Sequence, residues 1–378
     1  MSTSFNHVKN WLLTSGISIS DHNNDNDGAV YSYYDEEKKS FSFLYPEITG
    51  YYASTMRFLY THEKNDEFLY RAKASCDWLA KLFESHNGII QGIYSDSKTT
   101  HFVYSFDTAI CAKAMLDCYK ISNDEKYLTY GKKLNQWVLD KALNSDGTLN
   151  PLYNLESKKS ESNQDVWYKQ YGCLHIKSIM SLLMQYQITK DNFLLDNALK
   201  IAKKIVSFQN DDGSIRLHIN SKIINLHTLC YALEGLLYAY FVTKENTFLN
   251  FIIRALNWCD EQISSDGSID LWFNSKYHSK SSYPIAQILR LKILTSKIDD
   301  SINLETNSNL LTFLNSLQSS TSNSVVHGGF YEEFYKSMFG WKKRFRVNSW
   351  ASMFAIQAIY WNENISRINF EQEIELLY

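Results

Sequence analysis

Residues 226–242 (LHTLCYALEGLLYAYFV) are apolar almost all round, the pattern of a helix buried on every side. A polar turn, Thr243-Lys244-Glu245-Asn246, follows. Then 248–263 brings Leu249, Ile252, Ile253, Leu256 and Ile263 near helical spacing, the pattern of a helix with one buried face. The unit ends at Ser264-Ser265-Asp266-Gly267, where Gly can take the positive φ of a helix C-terminal turn. The same plan recurs along the chain. Gly-centred turns fall at Asp27-Gly28, Asn87-Gly88, Asp146-Gly147, Asp212-Gly213, Asp266-Gly267 and His327-Gly328, about sixty residues apart. A fixed period means one supersecondary unit repeated, each copy burying its apolar face against its neighbours.

Helices apolar all round are predicted to begin near Glu47, Phe106, Gln170, Leu226, Tyr283 and Asn348, and amphipathic ones follow the first five. The turns inside the hairpins run to about four residues, each with an acidic residue or Asn placed to cap the second helix, as in Asn65-Asp66-Glu67 and Asp191-Asn192. The sixth apolar helix, 348–361, is followed by a short tail only. Its missing partner is supplied by the N-terminal helix, 5–15. The prediction is one all-α domain over residues 1–378, six helical hairpins closed head to tail with an inner and an outer ring. An open superhelix is the alternative; the spare N-terminal helix and the very apolar inner helices favour closure.

Only 3 Pro occur, against 26 Tyr, 21 Phe and 9 Trp, so helices run uninterrupted and aromatic groups are plentiful. A net charge of -3 with no basic tract gives little support to nucleic-acid binding. No apolar run reaches the ~20 residues that span a bilayer, and no signal peptide is visible at the N-terminus. The six cysteines form no CxxC pair and lie in apolar helical contexts, which points to reduced thiols and a cytoplasmic protein.

This pattern resembles the (α/α)6 toroids: six-hairpin glycosidases, unsaturated-glucuronyl hydrolases, N-acylglucosamine 2-epimerases and the terpenoid-cyclase superfold. The resemblance covers nearly the whole chain and is one of architecture. The segment Tyr45-Pro46-Glu47-Ile48-Thr49-Gly50-Tyr51 also resembles one in toroid proteins associated with surface-polysaccharide biosynthesis. The toroid resemblance implies a ligand cavity at the end where long loops lead into the inner helices. Here those connections, 28–45, 88–105, 147–169, 213–225, 267–282 and 328–347, are far longer than the turns at the other end. Inner-helix N-termini point amide donors into the same funnel, which favours anionic or oxygen-rich ligands.

Aromatic faces and carboxylates interleave in these loops, a combination suited to sugars, which offer CH faces for stacking and hydroxyls for hydrogen bonds. The candidate binding residues are Tyr45, Tyr51, His101, Tyr104, Trp167, Tyr168, Gln170, Trp272, Arg344, Arg346, Asn348 and Trp350. Others of these tyrosines serve simply to pack loops onto the rim. Glu47 and Asp107 stand out among the acids, 60 residues apart on successive inner helices and each in the first turn. Two carboxyl groups so placed can divide into acid and base when their surroundings separate their pKa values. The toroid resemblance implies such a role on consecutive inner helices; the same positions also suit helix N-caps. Asp165 is a third candidate acid and His227 a candidate base, with His175 deeper in its helix. Arg344 and Arg346, beside Lys342 and Lys343, form a basic cluster able to meet a ligand carboxylate or phosphate.

Other motifs fail. Asn23-x-Asp25-x-Asp27-Gly28 lacks the final Glu of a calcium loop, having Tyr34 there. No zinc spacing, P-loop, dinucleotide fingerprint or diphosphate motif is present, so no metal or cofactor is expected. The reading is a carbohydrate-active enzyme, hydrolase or lyase by general acid–base chemistry, on an acidic or modified sugar. A sugar epimerase using His227, and a non-catalytic glycan-binding ring in polysaccharide assembly, are the alternatives.

Overall fold

The structure is a computed structural model that describes residues 1–90, 92–93, 101–163 and 166–378. Among them twelve principal helices alternate between an inner and an outer layer. The inner helices are α2 (Pro46–Glu63), α4 (Ser105–Ser122), α6 (Ile179–Thr189), α8 (Leu226–Thr243), α10 (Ser282–Thr295) and α12 (Ser349–Glu363). The outer helices are α1 (Thr3–Thr14), α3 (Asp66–His86), α5 (Glu125–Lys141), α7 (Asn192–Val206), α9 (Asn246–Glu261) and α11 (Asn307–Ser316). Each inner helix packs on the next and α12 returns to α2; each outer helix packs on its inner partner, with α1 on α12. The ring closes.

The capping logic is local. Asn65, Asp124 and Asp191 accept the amides of Glu67, Lys126 and Phe193 at the starts of α3, α5 and α7. The inner helices α2, α4, α6 and α8 end in the left-handed region at Lys64, Asn123, Lys190 and Lys244, where the two-residue hairpin turns begin. The fifth hairpin differs: eleven residues separate Thr295 from Asn307, not about four. The third inner helix also departs from expectation. A 3-10 stretch, Cys173–Ser178, precedes α6, so regular helix begins nine residues after Gln170.

The repeated glycine has a different role from the helix cap expected of it. α9 ends at Glu261, and Gly267 sits beyond it in a tight turn in which Asp266 accepts the amide and hydroxyl of Ser268. Gly267 has φ +80°, and a Cβ there would lie 2.0 Å from the carbonyl oxygen of Asn309 in α11. Gly28, Gly147 and Gly213 meet α3, α7 and α9 in the same way, and Gly328 meets His7 in α1. The missing side chain therefore sets the approach between successive outer helices at five of the six turns. Gly88 breaks the pattern, since Asn87 takes the positive φ there. Gly267→Ala is expected to destabilise by at least ~2 kcal/mol, because a left-handed L-residue alone costs ~1–2 kcal/mol. A urea titration measures it, and an unchanged midpoint would refute the packing role.

The long loops carry short antiparallel strands that an all-helical reading does not anticipate. Strands Phe102–Tyr104, Ile224–Asn225, Ser279–Ser281 and Arg346–Asn348 run directly into α4, α8, α10 and α12. Tyr33–Asp35 pairs with Arg346–Asn348, Tyr34 opposite Val347, and so joins the first loop to the last. At the other end the tail after α12 turns inward through α13 (Phe370–Glu373) and buries Ile374, Leu377 and Tyr378. The Tyr378 hydroxyl donates to the Met353 carbonyl at 2.7 Å, and Gln357 Nε2 donates to the Leu376 carbonyl at 2.9 Å. The tail packs against α2, α8 and α10 and stoppers the ring at the short-turn end. No helix among the described residues is long and apolar enough to cross a membrane.

Candidate active site

A cavity of about 250 Å³ opens at the long-loop end of the ring, and all six units line it. Two tyrosines at equivalent positions, Tyr45 and Tyr104, are the residues immediately before α2 and α4, and neither caps its helix with its side chain. Pro46 follows Tyr45 at the first helical position, where its fixed φ suits the helix and no amide is lost. Glu47 and Asp107 are then delivered by the first turns of α2 and α4 into the same cavity. Neither is the residue at the cap position itself.

Both carboxyl groups are buried, and both are pushed toward the neutral form. Burial raises Glu47 to about 7, against opposing help from the Tyr45 hydroxyl and the Lys177 ammonium. Asp107 is raised well above the usual carboxylate range by burial first and by the Glu47 charge second. The Tyr45 hydroxyl interacts with both carboxyls, while among the described residues Asp107 Oδ2 has no hydrogen-bond partner. Two carboxyls in one water-poor site cannot both ionise cheaply, so the pair retains a proton near neutrality.

The walls are aromatic. Trp167 and Tyr168 close one side, with ring centroids 5.3 Å apart, and Tyr168 is 6.1 Å from Tyr104. Trp350 and Tyr283 face them from α12 and α10, 6.0 Å apart. His227, in the first turn of α8, lies between Tyr231 and Tyr283 at 4.1 and 4.6 Å. Burial lowers its pKa to about 3, so the ring is neutral.

Not every expected residue arrives here. Asp165 lies outside the described residues. Tyr51 is fully buried behind the cavity, edge-on to Phe354 and 4.8 Å from Lys177 Nζ. His101 is exposed and faces Glu156 at 3.3 Å. Asn348 caps α12 by accepting the Ala351 amide, which uses its side chain structurally. Arg344 Nε donates to Glu333 at 2.9 Å and Arg346 lies 3.5 Å from Asp35, so both guanidinium groups of the expected anion site already face a carboxylate. His175 is buried with Nε2 3.1 Å from the Gln170 carbonyl oxygen, and it does not line the cavity beside His227.

Gln170, Trp272 and Arg344 instead border a second, open groove of about 910 Å³. Trp167 belongs to both spaces, with Trp272 6.3 Å away, so the groove leads out of the cavity. Sequence reasoning missed Phe106, Leu174, Tyr231 and Tyr283 in the cavity wall. One signal could have found Tyr231, which stands one helical turn after His227.

No protein-family model matches the chain, and no curated protein matches it in sequence. Solved structures do. Cellobiose 2-epimerase from Bacillus thermoamylovorans B4167 superposes with a TM-score of 0.76 at 13% identity, over 97% of this chain and 100% of that one. The fold is the (α/α)6 toroid. A D-mannose isomerase gives 0.75 at 12% identity over 95% and 97% of the two chains. An unsaturated glucuronyl hydrolase specific for heparin gives 0.71 at 11% identity over 97% and 98%. At these identities the likeness establishes the toroid architecture.

Proposed function

We propose that this toroid is a carbohydrate-active enzyme that takes one sugar ring into its central cavity and acts on it by general acid–base chemistry, as a hydrolase or lyase. The observation that carries the reading is the buried Glu47–Asp107 pair, raised in pKa and framed by aromatic faces. Asp107, which the Glu47 charge pushes further toward its protonated form, is the proton donor; Glu47, whose charged form the Lys177 ammonium favours, is the base or nucleophile. The cavity is small beside the ~300–1,000 Å³ usual for ligand pockets. One ring fits, and the rest of a chain extends along the outer groove.

The N-termini of α2, α4, α8, α10 and α12 at the mouth favour an acidic or otherwise oxygen-rich sugar. Involvement in polysaccharide metabolism accords with the groove. Six buried unpaired cysteines accord with a cytoplasmic setting. The test is a panel of oligosaccharides ending in uronic acids or acetylated amino sugars, followed for new reducing ends. Asp107→Asn should abolish product formation while the protein stays folded. Full activity in that variant, or no binding and no product with any sugar, ends the reading.

The second reading, a sugar epimerase or isomerase, is favoured by the neutral His227 ring in the same cavity. Recovery of an uncleaved product with inverted configuration and deuterium from solvent at that carbon would select it.

The groove supplies a further expectation. Trp272→Ala should raise KM for a longer oligosaccharide about fivefold, since one aromatic stacking contact contributes about 1 kcal/mol. KM for a substrate with a single sugar ring should not change. Equal effects on both would place the oligosaccharide elsewhere.

A further inference from the structure

Beneath the cavity floor a hydrogen-bonded chain runs down the seam between α8 and α10. His227 Nδ1 is 2.5 Å from Gln287 Oε1. Gln287 Nε2 donates to Glu234 Oε1 at 3.1 Å. Arg290 Nη2 donates to the same oxygen, and Lys177 Nζ donates to Glu234 Oε2 at 2.6 Å. Arg290 is anchored in turn by Gln357 Oε1 and the Tyr378 carbonyl, both at 2.9 Å. Glu234, Gln287 and Arg290 are wholly buried.

Each link fixes the next. A carboxylate with two cations on it can only accept hydrogen bonds, so the end of the Gln287 amide that faces it is the NH₂. The other end, Oε1, must then face His227. A carbonyl oxygen beside Nδ1 requires a proton on Nδ1. A neutral imidazole has one N–H, so Nε2 keeps its lone pair. Among the described residues none bonds to Nε2, and it is not a buried, unpartnered atom like Nδ1 of His175; it is the nitrogen left to the cavity.

We propose that Glu234 and Gln287 are positioning residues that lock His227 as its Nδ1–H tautomer, so that Nε2 presents a lone pair to a ligand hydroxyl or to an acidic C–H. The role for a ligand rests on reading the cavity as a sugar site; the tautomer itself does not. Lys177 and Arg290 complete the device by holding the Glu234 carboxylate in place.

The tautomer can be read directly from long-range proton–nitrogen correlations of protein carrying ¹⁵N-labelled histidine, with His227→Gln identifying the signal. In the unaltered protein at neutral pH, Nδ1 should carry the proton; a proton on Nε2 overturns the inference. Gln287→Leu, close in size and apolar, should release the lock and populate the Nε2–H form, with kcat falling at least tenfold and KM little changed. An unaltered tautomer in that variant also overturns it. Should that variant fail to fold, Gln287→Glu decides: an acceptor restored beside Nδ1 must keep the Nδ1–H form, and loss of that form counts against the lock. A protein that shows the locked tautomer yet turns over no sugar would refute the proposed function and leave this inference intact.

Discussion

Glu47→Gln is expected to produce a protein that is inactive and, above neutral pH, more stable than the original. Activity falls because Gln cannot accept the proton that the base must take; loss of a positioned acid or base costs typically 10²–10⁴-fold. The stability change follows from the raised pKa. Folded Glu47 titrates near 7, against 4.5 for an unperturbed group. The folded state therefore holds the proton more tightly than the unfolded state. Stability is full below about pH 4.5, declines as pH rises through the interval, and levels off above about 7. Gln has no such dependence. The difference between variant and original should be small at pH 5 and reach the order of 3 kcal/mol at pH 8, the equivalent of the shift at ~1.4 kcal/mol per unit. Thermal unfolding at both values checks it. An unchanged or lower Tm at pH 8 would mean that Glu47 is not held in a desolvated site. A site that destabilises the fold in order to keep a carboxyl reactive is the usual trade between stability and activity.

Arg290→Met should have the opposite consequence, a loss of ~3–5 kcal/mol, the cost found when one partner of a buried ion pair is removed. Arg290 has no exposed surface and lies between the Phe354 and Tyr378 rings, 4.3 and 5.4 Å from their centroids, with Glu234 on one side. Its removal leaves Glu234 with Lys177 as its one cation among the described residues, and burial already depresses Lys177 to about 7 despite that carboxylate. It also loosens the tail, because the Tyr378 carbonyl loses its donor. Chemical denaturation would show the loss. A change of under ~1 kcal/mol would mean that the cluster contributes little beyond its volume.

The ring was legible in the sequence because it rests on repetition. Asp-Gly turns, polar hairpin turns and apolar inner helices all report the same period, and the spare helix at 3–14 supplies the closure. Glu47 and Asp107 were legible for the same reason: equal places in successive repeats become neighbours on the inner ring. What was not legible depends on contacts the period does not set. Arg346 and Asp35 meet because Tyr33–Asp35 pairs with Arg346–Asn348 across the closure, some 310 positions apart in the chain. The roles of Glu234 and Arg290 were hidden because a charged residue within an apolar helix does not say which neighbour it faces. The tail's role was hidden because its partners belong to five different helices.

The pairing of α1 with α12 places a constraint on biosynthesis. Some 335 positions separate Thr14 from Ser349. At ~5–20 residues per second a ribosome needs roughly 20–70 s to cover them. Throughout that interval the nascent chain displays Val8, Trp11 and Leu12, which are fully covered in the finished ring. A helix made so long before its partner is thus among the last to find shelter, and it is where a chaperone would be expected to take hold.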